Sequence, residues 1–330
     1  MKASWSTKGI IYANAVFCML LLTWLSIFTT LTQDRFRLRS MLLFGSSGIV
    51  KRTDNNRHFR DLRKNGSVWV DHDLDKTLIS LHTHQRAFLD KRERILRTWG
   101  RHVPHLLTFV GSLPPAKEIE KKGQKNEITN LDQTVELGAN IDGYTVLWKK
   151  VLKSYMFLCE HLIDTYEWFM RADDDLFLVT YNLANALREF DPEQVHYLGQ
   201  RMSYKEQEYA SGGAGYVFSR GLMKAMCLRP IAQQPGNTRW ENCLSVDPKD
   251  DKFWKGAERY GKPEDVYMAT CIDKHIGHKM QSISGFQGMS ASYRHPQYSE
   301  FEWLKQRESP VITFHYVTRE QMYQMYTQFY

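Results

Sequence analysis

Past residue 75, apolar positions fall into short continuous runs separated by segments of helical periodicity. Thr77–Thr83 (TLISLHT) and His105–Gly111 (HLLTFVG) are compact apolar runs, and each predicts a buried strand. Between them, Ala87–Trp99 (AFLDKRERILRTW) mixes apolar and charged positions as an amphipathic helix does. Further on, Tyr144–Asp164 (YTVLWKKVLKSYMFLCEHLID) spaces Leu147, Val151, Tyr155, Leu158 and Leu162 as one buried helical face. Trp168–Ala172 (WFMRA) then predicts another strand. This alternation implies an α/β domain with a mostly parallel sheet flanked by helices. Residues 114–130 (PPAKEIEKKGQKNEITN) predict a charged surface loop.

One run is of a different length. From Gly9 to Gln33 no residue is charged, and the 22 residues Ile10–Leu31 are largely apolar. As a helix rising about 1.5 Å per residue they reach roughly 33 Å, enough to cross a bilayer. That length favours an uncleaved signal-anchor over a cleaved signal peptide or a buried core helix. Lys2 and Lys8 flank one side; Arg35, Arg37 and Arg39, offset by Asp34, flank the other, so flanking charge does not set the orientation. The expected organisation is a tail at 1–8, a membrane span at 9–32, a basic, polar stem at 33–75 and a folded domain at 76–330. The stem carries the sequon Asn65-Gly66-Ser67, usable only if the C-terminal part is lumenal.

Composition changes this picture little. Apolar residues at 42% and aromatics at 13% fit a folded globule. The net charge of +7 suits an anionic partner, but no Lys/Arg stripe is interleaved with aromatics, so nucleic acid is not expected. Of five cysteines, Cys18 lies in the apolar run. Cys159, Cys227, Cys243 and Cys271 allow two disulfides in any of three pairings, and none has the C-x-x-C spacing of a structural zinc site.

The candidate chemistry begins at Glu167–Val179 (EWFMRADDDLFLV). Asp173, Asp174 and Asp175 follow a strand, where open α/β sheets bind ligands. In extended backbone residues two apart share a side, so Asp173 and Asp175 can face one point. Adjacent carboxylates repel unless a cation or proton neutralises them, and a hard divalent ion takes oxygen ligands. A solvated acidic turn or a helix N-cap explains a bare Asp-x-Asp equally simply. Tyr209–Arg220 (YASGGAGYVFSR) adds glycines that permit close backbone approach, without the lysine of a Walker loop. Glu264 and Asp265 open what reads as a helix in Gly261–Ile272 (GKPEDVYMATCI), and Val311–Val317 (VITFHYV) sets His315 in a strand-like segment.

In this order, LWKKVLKSY, EWFMRADDDLFLV, YASGGAGYVFS, PEDVYMATC and FHYV resemble the core-1 β1,3-galactosyltransferase (T-synthase) family of inverting β1,3-glycosyltransferases, over roughly residues 77–320. The resemblance implies a GT-A fold, Rossmann-like, behind the transmembrane helix. It implies inverting transfer of galactose from UDP-galactose to a GalNAc-type acceptor on a glycoprotein or glycopeptide, with Mn²⁺ (or Mg²⁺). Asp173, Asp175 and His315 would hold the metal. Asp265 would be the base, with Glu264 in reserve, and Asp174 would meet the ribose or a basic neighbour. Gly212, Gly213 and Ala214 would border donor or acceptor. Thr83 and His84 would edge the uracil, Arg92 or Arg94 would reach a phosphate, and Lys149 matches a lysine of the family; solvation explains these basic residues as well. Cys243 and Cys271 bracket the acidic pair as a family disulfide does, which leaves Cys159 with Cys227. The resemblance also implies a single-pass type II protein of the Golgi or ER–Golgi membrane, and allows a homodimer. The alternatives are another UDP-sugar or acceptor, or a non-catalytic, chaperone-like relative. The chain departs from the family in the longer insert at Asn242–Gly261, and in lacking a Trp/Tyr-rich acceptor run at Gly285–Trp303.

Overall fold

The computed structural model describes residues 72–123, 133–228, 238–245, 263–289 and 310–330. The apolar run at 9–32, the stem up to residue 71 with its sequon, and residues 246–262 and 290–309 lie outside the described residues. Among the described residues no helix is long and apolar enough to cross a membrane.

In chain order the strands are β1 (Thr77–His82), β2 (Leu106–Val110), β3 (Thr134–Glu136), β4 (Trp168–Asp173), β5 (Phe177–Leu178), β6 (Tyr197–Gly199), β7 (Arg201–Tyr204), β8 (Gln207–Ala210), β9 (Tyr216–Ser219), β10 (Gln281–Ser282) and β11 (Thr313–Phe314). The helices are α1 (Gln85–Arg97), α2 (Ala116–Gly123), α3 (Leu147–His161), α4 (Thr180–Leu187), α5 (Arg220–Cys227), α6 (Arg239–Ser245), α7 (Glu264–Ile276) and α8 (Arg319–Phe329). The central sheet runs β10-β6-β9-β4-β1-β2-β3. Its pairs are parallel except those of β9, which lies antiparallel to both β4 and β6. The expected mostly parallel sheet is therefore present, with one reversed strand.

Strand alternation divides the core. Ile79, Leu81, Met170 and Ala172 pack on one face, with Ile95 and Trp99. Leu78 and Phe169 pack on the other, with Phe109, Val151, Leu152, Tyr155 and Phe218. Helix α3 buries Val151, Tyr155 and Leu158, whereas Leu147 and Leu162 are only partly buried. Trp148 is a core residue, its ring centroid 4.8 Å from that of Tyr267.

Two expectations need correction. Ala116–Gly123 lies in the segment expected to be a loop but forms helix α2. Its Lys, Glu and Ala residues are good helix formers, and two prolines precede it where missing N–H groups cost nothing. The strand expected at Val311–Val317 is only β11, two residues long, and His315 lies just beyond it.

The four cysteines outside the apolar run pair as Cys159–Cys227 and Cys243–Cys271, with Cα–Cα distances of 5.6 and 6.0 Å. The first ties α3 to the end of α5; the second ties α6 to α7, whose first residues are Glu264 and Asp265. Replacing Cys159 and Cys227 together by serine is expected to cost about 2–5 kcal/mol, read from urea midpoints, because the bridge closes the longer loop. Serines at Cys243 and Cys271 are expected to cost less stability than that pair.

Candidate active site

The C-terminal ends of β1 and β4 lie side by side, with His82 in register with Asp173. Chain direction reverses at Asp174–Asp175, where Leu176 N–H donates to the Asp173 carbonyl at 3.3 Å. Asp173 and Asp175 converge because of this turn, not through the extended alternation expected of a strand. The chain then enters β5, which pairs antiparallel with β11 through Phe177–Phe314 and Leu178–Thr313. His315 follows β11 immediately, so the pairing sets it opposite the acidic turn. Val317 N–H donates to the Asp175 carbonyl at 3.0 Å and fixes the register.

One ligand atom from each of Asp173, Asp175 and His315 lies within 4.8 Å of the others. His315 Nδ1 is 3.0 Å from the Gly288 carbonyl oxygen, which can only accept, so Nδ1 carries a proton. The opposite nitrogen, Nε2, is 3.5 Å from Asp175 Oδ1. A carboxylate facing a ring nitrogen at that distance calls for a proton or a cation between them. Oxygen and imidazole donors, with the imidazole oriented by a backbone carbonyl, fit a divalent first-row cation. Burial alone would lower the His315 pKa, but Asp175 and the Gly288 carbonyl outweigh it, and the net shift is upward. Burial pushes Asp175 up; the facing imidazole and Lys91 more than reverse this.

The glycine loop builds the wall between the Asp173–Asp175–His315 cluster and the acidic pair. A Cβ at Gly213 would sit 2.0 Å from Cε1 and 2.2 Å from Nδ1 of His315. At Gly212 it would sit 2.9 Å from Glu264 Oε2 and 3.3 Å from Asp265 Cβ. The nearest atoms to these glycines are therefore protein side chains, and they exclude a Cβ without invoking a sugar. Ala214 is buried, and its carbonyl accepts from Thr313 Oγ1 at 2.7 Å, tying the loop to β11.

Arg171, which pattern reading left in the core strand, links these parts. Its guanidinium is 1% exposed. It donates to Asp173 Oδ1 at 2.8 Å and to the Gly212 carbonyl, and it lies 3.4 Å from Glu264 Oε2. Its strand position, two before Asp173, was the available signal: a charge in an apolar strand on the same face as the acid. Glu264 is buried and also accepts from the Tyr216 hydroxyl. Burial raises its pKa to about 7, opposed by Arg171 and reinforced by Asp265. Asp265 is only partly buried and accepts from the backbone N–H of Gly212 and of Val266, both at 2.9 Å. Burial lifts its pKa, while these two bonds pull it down; the net shift is upward.

On the β1 side the basic groups facing the cluster are neighbours of those expected. Lys91 Nζ lies 2.5 Å from Asp174 Oδ1, and Thr83 Oγ1 donates to Asp174 Oδ2 at 2.7 Å. Asp174 thus turns toward a basic neighbour rather than joining Asp173, Asp175 and His315. Lys150 is buried and donates to the Thr83 carbonyl at 2.5 Å. Arg92 is also buried, with Nε directed to Thr108 of β2 at 3.2 Å. Arg94 pairs with Asp90 on its own helix, and Lys149 lies over the Trp148 ring. His84 is exposed at the start of α1. The helical phase explains the offset: Lys150, three residues after Leu147 and four before Ser154, falls on the inner face that Lys149 leaves.

Removing Arg171 strands the buried carboxylate of Glu264 and the partly buried one of Asp173. Arg171→Met is expected to cost about 3–5 kcal/mol in urea unfolding. Without the guanidinium the folded-state pKa of Glu264 climbs further, and a raised carboxylate pKa means stability lost as pH rises through it. The deficit is therefore expected to be larger at about pH 8 than at about pH 5.5.

Comparison with known proteins places this geometry. A Fringe-like profile matches residues 72–317. The glycoprotein-N-acetylgalactosamine 3-beta-galactosyltransferase 1 of Xenopus laevis is 25% identical over 191 residues, covering 55% of this chain and 50% of that one. Chondroitin sulfate synthase 3 of Homo sapiens is 28% identical over 174 residues, covering 48% of this chain and 19% of that one. The matched region thus spans half or less of each of these relatives. The solved galactosyltransferase LgtC is 9% identical with a TM-score of 0.44, covering 76% of this chain and 95% of that one; a likeness at that level carries no argument. The profile extends from the residues just before β1 to those just after His315 and takes in Asp173, Asp175, His315 and the acidic pair: the chain belongs to the Fringe-like family.

Proposed function

We propose that the chain is an inverting, metal-dependent β1,3-glycosyltransferase of GT-A type that transfers galactose from UDP-galactose to a GalNAc-type acceptor on glycoprotein. One observation carries the reading: Asp173, Asp175 and His315, 142 residues apart in sequence at the extremes, present ligand atoms within 4.8 Å of one another. The Xenopus relative supplies the support for galactose and GalNAc. The uncharged run at 9–32 supports a type II anchor in the Golgi membrane.

The three side chains would hold Mn²⁺, which suits mixed oxygen and imidazole ligation. When bound there, the cation neutralises charge that develops on a departing diphosphate. Thr83, Lys91 and Lys150 line the same strand ends and give the nucleotide side a basic edge. Inversion is a single displacement, so the acceptor hydroxyl must lose its proton as it attacks. Geometry, weighed before pKa, favours Asp265 over Glu264 on this reading. Glu264 is 5% exposed, with its oxygens engaged by Tyr216 and Arg171. Asp265 is accessible and next to it, so Asp265 takes the proton and Glu264 holds the wall behind it.

The test is UDP release from UDP-galactose with a GalNAc-threonine peptide, with and without Mn²⁺. Turnover is expected only with the cation, and Asp265→Asn is expected to lose about 10²–10⁴ in kcat. Glu264→Gln should retain more activity than Asp265→Asn; the reverse order would exchange their roles. Because a base works ionised and the Asp265 pKa is raised, kcat/KM is expected to fall on the acid side at a pH above the ordinary aspartate range. Silence with every UDP-sugar tried would instead favour a non-catalytic relative.

A further inference from the structure

Gln200 belongs to none of the motifs above, yet it stands one step behind the His315 imidazole. It follows β6 directly, and Gly288 lies a short way past β10. These strands pair in parallel at the sheet edge through Leu198–Gln281 and Gly199–Ser282, and Ile283 N–H donates to the Gly199 carbonyl at 3.1 Å. The two segments therefore leave the edge side by side. There the backbone N–H of Gly288 donates to Gln200 Oε1 at 2.5 Å. A backbone N–H can only donate, so the amide must present its oxygen. A Cβ on Gly288 would lie 2.6 Å from that oxygen and 2.4 Å from Ser211 Oγ, so the segments meet without room for a side chain. The Gln200 carbonyl in turn accepts from Ser211 N–H at 2.9 Å, at the head of the glycine loop.

The Gly288 carbonyl is the group that accepts from His315 Nδ1. Other contacts confine the imidazole without telling its two edges apart. Gly213 lies against it, and Tyr316 stacks on it with centroids 3.7 Å apart. Upstream, the segment that carries the carbonyl is tied to β11. Gly285 accepts from the N–H groups of Ile312 and Thr313 at 2.8 and 3.2 Å, and Gln287 N–H donates to Thr313 Oγ1 at 3.4 Å. Gly288 itself takes its anchor from Gln200. Which imidazole nitrogen is left to bind a metal is set by the hydrogen bond that the other one makes. Holding Nδ1–H on Gly288 leaves the lone pair on Nε2, the nitrogen that faces Asp175 Oδ1.

We propose that Gln200 is a positioning residue for the metal site: through Gly288 it fixes the proton on His315 Nδ1 and keeps Nε2 open to a divalent cation. This rests on the metal reading above and adds a residue to it. Gln200 acts through two hydrogen bonds in series, and its own backbone carbonyl ties the same point to the glycine loop.

Titration of the full chain with Mn²⁺, followed by the EPR signal of the free ion and run without sugar nucleotide, tests the assignment. Gln200→Met keeps the length of the side chain and removes the acceptor. Its Kd for Mn²⁺ is expected to rise about tenfold, the low end of what hydrogen-bond partners of metal-binding histidines carry. Gln200→Glu keeps an acceptor oxygen and is expected to stay within about threefold of the wild type. Leu158→Ala truncates the core on the opposite sheet face, and should lower the urea midpoint without moving the Kd. That control separates positioning from general loosening. Long-range ¹H–¹⁵N NMR of the metal-free chain, at a pH where the imidazole is neutral, reads the tautomer; the His315 signal is assigned by its loss in His315→Asn. The wild type is expected to carry the proton on Nδ1, and Gln200→Met a mixture of both tautomers. A Kd for Gln200→Met within about twofold of the wild type, or equal losses in Gln200→Met and Gln200→Glu, overturns the proposal. A tautomer that depends on Gln200 in a chain that binds no Mn²⁺ would keep Gln200 as the group that orients His315 and remove the metal reading. Tight Mn²⁺ binding by the wild type and Gln200→Met alike would do the opposite.

Discussion

A single buried guanidinium sets the arrangement on which the site depends. Arg171 touches Asp173, the Gly212 carbonyl and Glu264, one from each of the three segments that meet here. Its positive charge stays because the two carboxylates hold its pKa well up against the burial that would lower it. A charge buried this deeply is tolerated only when paired and hydrogen-bonded, so Asp173, the glycine loop and the first residue of α7 are held to one geometry. The Asp173–Asp175–His315 cluster and the Glu264–Asp265 pair are in that sense one electrostatic unit. Where the first strand ends, Lys91 with Asp174 and Lys150 with the Thr83 carbonyl make a second, more open unit of the same kind.

The second constraint is backbone. His315 lies far from Asp175 along the chain, yet two short strands close that gap: β5 begins just after the acidic turn and β11 ends just before the histidine. Their pairing is only two residues long, but Val317 adds a hydrogen bond across to Asp175, and Thr313 ties the pair to the glycine loop. Gly213 then leaves room for the imidazole where any side chain would overlap it. The Gly-Gly step thus has a physical cause inside the protein itself. It lets a histidine from the C-terminal segment reach a strand end near the middle of the chain.

Much of this was legible in the sequence, for identifiable reasons. Apolar runs and helical spacing located β1, β2, β4, α1 and α3, since burial on both sheet faces enforces those patterns. The Asp173–Asp175 cluster, the glycine loop, Glu264, Asp265 and His315 stood out because charges and glycines are costly beside a core. What escaped was direction. Whether Lys149 or Lys150, and whether Lys91 or Arg92, faces the cleft depends on helix phase to within one residue, which charge alone does not show. Arg171 was hidden because one cation in an apolar strand looks like a tolerated exception until its partners are known. Helix α2 was missed because a run of Lys and Glu has no apolar stripe to betray it.

Adjacent carboxylates at the start of α7 show how one backbone turn can make two different acids. Glu264 points inward to Tyr216 and Arg171, and burial pushes it up to about 7. Asp265 points toward the glycine loop, where two backbone N–H groups stabilise its ionised form against the burial that raises its pKa. The two side chains are one residue apart, about 100° around a helix, so they cannot share an environment. Two carboxylates whose environments push them apart in this way are suited to different roles. In this chain the less buried member meets the glycine loop and the inner member braces the guanidinium. If Asp265 is the base, as proposed above, a proton accepted there adds no charge to the Arg171–Glu264–Asp173 set, which stays fixed beside it.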